Sequence, residues 1–317
     1  MCGGDIPIVG EQAEAVPASI PNTFQTADAH CHPTDTLASL KNISSQNTTF
    51  MCCMSTSFHD LDHVASLYRE HPTKVVPAFG FHPWKYNEIA STAEVMTPEQ
   101  ALEAFSPEDA DLAAKLIENQ RPLQEWTTIL TEYLTSHPKA IMGEVGMDRA
   151  ASLPNTNFRL KLNQEHQSKI FEAQLRIAGR LKRPVSCHCV RAHGLMINMF
   201  KRIGKESIEE FPPAICMHSY NGEPDTIKTL LKIPKIGNRI YVSFSTVING
   251  GKSEKLEKRI RAVPEDRLLI ESDYNTMDAI DLQIAQIAHV VAEARGWTLE
   301  ETCVKTFQNF LRFSNVD

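Results

Sequence analysis

The sequence of 317 residues has no uninterrupted apolar run near the ~18 residues that identify a membrane helix, so no span is expected. Its opening, Met1-Cys2-Gly3-Gly4-Asp5, offers neither a basic n-region nor an apolar h-region, which predicts a cytoplasmic or nuclear protein rather than a secreted one. No CxxC occurs, and the eight cysteines lack the density of a disulfide framework. Reduced, mostly buried thiols are therefore expected, and the sequons at Asn42 and Asn47 are expected to stay unmodified. Positive charge is also in short supply: 32 Lys and Arg stand against 39 Asp and Glu, a formal net charge of −7. That gives no global attraction to nucleic acid, whose stable binders usually show a basic face. It does not exclude an enzyme in which metal ions supply positive charge locally. No GxGxxG phosphate loop and no internal repeat is present.

What is there is a series of short apolar runs alternating with helical spacing. Residues 1–22, with three prolines and no periodicity, read as a tail. Strands are predicted over 23–29, 49–55, 74–80, 139–145, 184–189, 214–219, 239–244 and 267–272. They are apolar on both faces, as buried parallel strands are. Helices are predicted over 59–70, 121–136, 163–182, 192–203, 223–232, 252–262, 277–295 and 298–313. Eight strands, each followed by a helix, give a single α/β domain over 23–317, a (β/α)8 TIM barrel. The acidic, alanine-rich stretch at about 86–118, with Pro98 and Pro107 as breakers, is too long for a loop and reads as a helical insertion after the third strand.

In such barrels the chemistry gathers at the C-terminal strand ends. The predicted ends carry His30 and His32 on the first strand, Gly80-Phe81-His82-Pro83-Trp84 on the third and Glu144 on the fourth. The fifth carries His188, the sixth His218 and the eighth Asp273. His30 and His32 are two apart, so in a strand they share a face at a spacing of ~7 Å. The six side chains His30, His32, Glu144, His188, His218 and Asp273 suit a pair of divalent ions ~3.5–4 Å apart, bridged by one carboxylate. Glu144 is the natural bridge. His30, His32 and Asp273 complete one site, and His188 and His218 the other. Such ions make hydroxide available near neutral pH, and Asp273 is placed to take its proton. The ligand types fit Zn2+, while phosphodiester chemistry fits Mg2+ or Mn2+ as well.

These residues resemble the TatD family of metal-dependent deoxyribonucleases and related hydrolases, from about Thr23 to Phe313. The resemblance rests on Asp28-Ala29-His30-Cys31-His32, Gly80-Phe81-His82-Pro83, Gly143-Glu144-Val145-Gly146-Met147-Asp148, Pro184-Val185-Ser186-Cys187-His188, His218-Ser219-Tyr220-Asn221-Gly222 and Leu269-Ile270-Glu271-Ser272-Asp273. Asn309 in the last predicted helix matches the family asparagine. The resemblance implies a TIM barrel with a divalent-metal centre on the same six residues, hydrolase activity on DNA, and His82 beside the substrate phosphate. Tyr274-Asn275-Thr276 departs from the family's small residue and proline after the aspartate. Arg191 follows His188 by three positions where the family has an arginine two on, and the 86–118 insertion looks like a fungal-type branch.

Further readings attach to single residues. Trp84 offers a ring for stacking on a base, or an anchor for the insertion. Arg191 offers a fork for phosphate, or faces solvent at a helix start. Asp148 reads as a hydrogen-bond partner of a ligand histidine, or as a turn cap. His59 and His63, four apart on a helix, read as surface residues for want of a third ligand. His193 lies near the rim without a role. Three functions follow: a two-metal phosphodiesterase on DNA or short nucleotides; the same centre acting on an amide, ester or lactone; and a barrel that docks a protein partner through residues 86–118.

Overall fold

The structure, a computed structural model, describes residues 19–151 and 163–316, so most of the predicted tail lies outside the described residues. The eight strands are β1 (Ala27–Cys31), β2 (Phe50–Met54), β3 (Val75–Phe79), β4 (Ile141–Asp148), β5 (Val185–Val190), β6 (Ile215–Met217), β7 (Ile240–Phe244) and β8 (Leu268–Ile270). Each pairs in parallel with the next, in sequence order, to make a nearly closed (β/α)8 barrel. The seam between β8 and β1 is drawn together past the strand ends. There the Asp273 N–H donates to His30 O at 2.9 Å and the His32 N–H to Tyr274 O at 2.8 Å.

The helices are α1 (Phe58–Glu70), α2 (Pro98–Phe105), α3 (Ala110–Leu116), α4 (Leu123–Ser136), α5 (Gln164–Arg180), α6 (His193–Glu206), α7 (Pro224–Leu231), α8 (Thr246–Asn249), α9 (Glu254–Ala262), α10 (Ile280–Arg295) and α11 (Leu299–Ser314). Their buried residues recur at helical spacing, as Met196, Ile197, Phe200 and Ile203 do in α6, and face the outside of the barrel. Ala27, Ala29, Cys52, Met54, Val76, Ala78, Ile141, Cys216 and Leu269 form a separate interior cluster, and Phe307, Phe310 and Phe313 of α11 pack against it. Asn309 ties α11 to β8, donating to Glu265 O and Leu268 O at 2.8 Å each.

Four expectations need correction. The first strand starts at Ala27 rather than at residue 23, and a 3₁₀ segment (Pro33–Ser45) follows it in place of an α-helix. The non-helical Thr36, at φ −128° and ψ 72°, interrupts that segment and prevents a continuous α-helix. Pro98 does not break a helix in the insertion but starts one, as the first residue of α2 behind a Thr97–Gln100 capping box. The fourth strand runs past 145 to Asp148, because the β4–β5 ladder continues through His188 to Val190.

Gly146 permits that last extension. A Cβ at this position would lie 2.0 Å from His188 O, so any side chain forces β4 and β5 apart. Gly146→Ala is expected to destabilise the protein by about 2–3 kcal/mol, read as a lower urea midpoint at unchanged slope. An unchanged midpoint would show that the two strands separate freely there.

Candidate metal centre

The strand ends bring the six expected residues into one mouth. Their placement follows from the barrel: His30, Glu144 and His188 lie within β1, β4 and β5, and His32, His218 and Asp273 lie just beyond β1, β6 and β8. The His30 ring is buried and stacks on the His218 ring with centroids 3.8 Å apart and planes 3° apart. Its Nδ1 lies 2.7 Å from Ser186 Oγ, which turns Nε2 toward the mouth. His32 Nε2 lies 3.0 Å from His30 Nε2, 3.2 Å from Glu144 Oε2 and 3.5 Å from Asp273 Oδ1.

Glu144 divides its two oxygens between two groups. Oε2 faces His30 at 3.4 Å and His32 at 3.2 Å. Oε1 faces His188 Nδ1 and His218 Nε2 at 2.7 Å each, and His82 Nε2 at 3.3 Å. Donor atoms gather within 4.8 Å of one another in three sets: His30, His32 and Asp273; His82, Glu144 and His188; and His30, His218 and Glu271.

Charge in the mouth is one-sided. Every ion-pair partner of Glu144 and Asp273 among the described residues is an imidazole. Burial opposes charge on Glu144 and Asp273, yet the surrounding histidines hold both carboxyls below the usual carboxylate range. Burial likewise opposes a charged ring on His188, but Asp148 and Glu144 outweigh it and hold that ring up at about 9. Asp273 and Glu144 raise His32 in the same way, and Glu144 and Glu271 raise His218, each against burial. Burial dominates at His30 and His82, and lowers both. The carboxylates of the mouth thus face imidazoles, with no Lys or Arg paired to them among the described residues. That donor set, nitrogen and oxygen atoms of borderline softness around two negative charges, fits divalent cations.

The other named residues divide. His82 joins the mouth; its Nδ1 accepts the Trp84 backbone N–H at 3.1 Å, so its Nε2 carries the proton. The Trp84 indole N–H donates to Asp148 Oδ2 at 2.7 Å, and Asp148 Oδ2 lies 3.2 Å from His188 Nε2. Arg191 is not brought into the cluster: it is exposed, with φ 53°, and makes no ion pair among the described residues. His193 packs edge-on against Tyr220 with its Nε2 unpartnered, and His59 stands against His63 alone.

Sequence reasoning missed Glu271. This fully buried carboxylate accepts the Ser219 N–H and Ser219 Oγ–H at 2.6 Å each and the Ser243 hydroxyl, and its Oε1 lies 3.4 Å from His218 Nδ1. Its signal was available: a glutamate two residues before Asp273, inside the strand predicted over 267–272.

A family profile described as TatD related DNase matches residues 27–315. The Cut9-interacting protein scn1 of Schizosaccharomyces pombe is 29% identical over 91% of this chain and 98% of its own length. A 3'-5' ssDNA/RNA exonuclease TatD of Klebsiella pneumoniae is 27% identical over 53% of this chain and 62% of its own. Among solved structures, a TatD homologue of Escherichia coli superposes with a TM-score of 0.61 at 20% identity, over 92% of this chain and 98% of that one, a likeness of fold. The profile spans the barrel from its first strand to its last helix: the chain belongs to the TatD-related DNase family of metal-dependent hydrolases.

Proposed function

We propose that this hydrolase uses two divalent ions to cleave phosphodiester bonds, taking nucleotides from the 3' end of single strands. The observation that carries the reading is the division of Glu144, whose two oxygens serve two separate groups of imidazoles. His30, His32 and Asp273 would hold one ion and His188 and His218 the other, with Glu144 shared. When bound, such ions supply hydroxide near neutral pH and neutralise phosphate charge. Asp273, kept ionised by its histidines, takes the proton from the attacking water. His82, protonated at Nε2, donates to a phosphoryl oxygen as negative charge grows on it. The 3'-5' direction is carried from the Klebsiella relative's name.

The test is a metal-free preparation given Zn2+, Mg2+ or Mn2+ and a single-stranded oligonucleotide labelled at either end. Asp273→Asn is expected to lower kcat by roughly 10³-fold, within the range for a lost general base. Ion-loaded protein that leaves single strands intact but turns over carboxylic esters or lactones would move the reading to a small-molecule hydrolase. The protein named as Cut9-interacting favours an additional role in docking a partner, for which α2 and α3 offer an acidic surface. Charge reversal at Glu99, Glu103 and Asp111 would then abolish capture of that partner while hydrolysis persists.

A further inference from the structure

Trp84 meets the His82–Glu144–His188 half of the mouth with two separate donors. Its backbone N–H fixes His82 Nδ1 at 3.1 Å, and its indole N–H reaches Asp148 Oδ2 at 2.7 Å. Its ring stands edge-on to His82, with centroids 4.9 Å apart. Asp148 is otherwise pinned: Oδ1 accepts the Ala150 N–H at 2.7 Å, and the Asp148 N–H donates to Gln167 Oε1 at 2.8 Å. Because a carboxylate only accepts, His188 Nε2 at 3.2 Å must donate to Oδ2. That choice leaves His188 Nδ1 as the atom facing Glu144, at 2.7 Å. The chain of contacts therefore runs indole, carboxylate, imidazole, and it ends on one half of the donor set. The indole N–H is spent on Asp148, which leaves Trp84 no free donor for a substrate.

We infer that Trp84 is a positioning residue: acting through Asp148 on His188, it sets the affinity of that half of the mouth for its divalent ion. The inference rests on the two-ion reading and adds a residue that neither ligates nor touches substrate. Partners of this kind orient a ligating ring, and their loss typically lowers metal affinity by about 10–100-fold.

The experiment titrates metal-free protein calorimetrically with Zn2+ and, separately, with Mn2+. Wild type is expected to take up two ions in two resolvable events. Trp84→Phe keeps an aromatic ring and removes the N–H; it should weaken one event by about 10-fold or more and leave the other within about twofold. Asp148→Asn should weaken the same event. A double variant of Trp84→Phe with Asp148→Ala should bind no more weakly than Asp148→Ala alone, since the indole then has nothing to act through. With both ions saturating, KM for an oligonucleotide should stay within about twofold of wild type. Additive losses, equal weakening of both events with a lower melting temperature of the metal-free protein, or wild-type binding by Trp84→Phe would each overturn the inference. A raised KM with unchanged ion binding would overturn it in favour of base stacking. Uptake of a single ion by wild type would instead sink the two-ion reading beneath it.

Discussion

Replacing Glu144 by glutamine is expected to abolish turnover, by roughly 10³-fold or more, and to remove tight divalent-ion binding in the same step. A thousandfold loss corresponds to about 4 kcal/mol of transition-state stabilisation. The size follows from position rather than from residue type. Glu144 is buried, and among the described residues it alone presents one oxygen to His30 and His32 and the other to His188 and His218. A glutamine of the same shape keeps one oxygen and replaces the other by an amide that repels a cation. Losing one ion partner elsewhere would leave the second site whole; losing Glu144 weakens both.

The fold should survive. An ion present at 100 times its dissociation constant stabilises a folded protein by about 2.7 kcal/mol. At about 2–4 °C per kcal/mol for a domain of somewhat smaller size, that is a rise of roughly 5–10 °C in melting temperature. Wild type should show the rise on adding ion, and Glu144→Gln should not, while the two metal-free proteins melt within a few degrees of each other. A variant that still retains two ions per chain by elemental analysis would refute the bridging role.

Most of the frame is legible in the amino-acid sequence alone, and the reason lies in the barrel itself. Buried parallel strands read as short apolar runs, and polar residues at their ends have few explanations other than function. Hence His30, His32, Glu144, His188, His218 and Asp273 could be gathered from five strands, and the structure does bring them together. What stayed hidden depends on partners from distant segments. The start of the first strand was misjudged because Thr23-Phe24-Gln25 looks as strand-like as Ala27-Asp28-Ala29, and only pairing with β2 decides between them. Trp84 reads from sequence as a base-stacking ring or as an anchor for the insertion, because nothing in its neighbourhood of sequence names Asp148, sixty-four positions on, as the acceptor of its indole N–H. Pro98 was read as an obstacle when its place after Thr97 made it a helix start, a signal present in the sequence and passed over.

Glu271 shows the same limit and carries the largest expected effect on stability. Glu271→Ala is expected to destabilise the metal-free protein by about 4 kcal/mol, in line with the loss of one member of a buried charged network. The carboxylate is fully buried at the end of β8, and it satisfies the Ser219 N–H, the Ser219 hydroxyl and the Ser243 hydroxyl. Those donors come from the ends of β6 and β7, so the side chain joins three consecutive strand ends. Alanine leaves them in a space where each unsatisfied group costs about 1–3 kcal/mol. Ser219 retains Ser245 Oγ at 2.7 Å, which limits the loss at that hydroxyl but not at the Ser219 N–H. Glu271→Gln keeps one acceptor oxygen and nearly the same volume, and should lose only about 1–2 kcal/mol. Urea unfolding in a chelator separates the two, because it removes any contribution from bound ion. Equal losses for alanine and glutamine would mean that the cavity, not the hydrogen bonds, sets the effect. With the network intact, His218 keeps Glu271 3.4 Å behind its Nδ1 and Glu144 2.7 Å in front of its Nε2. A carboxylate buried for the sake of three serine donors thus also fixes which nitrogen of His218 faces the mouth.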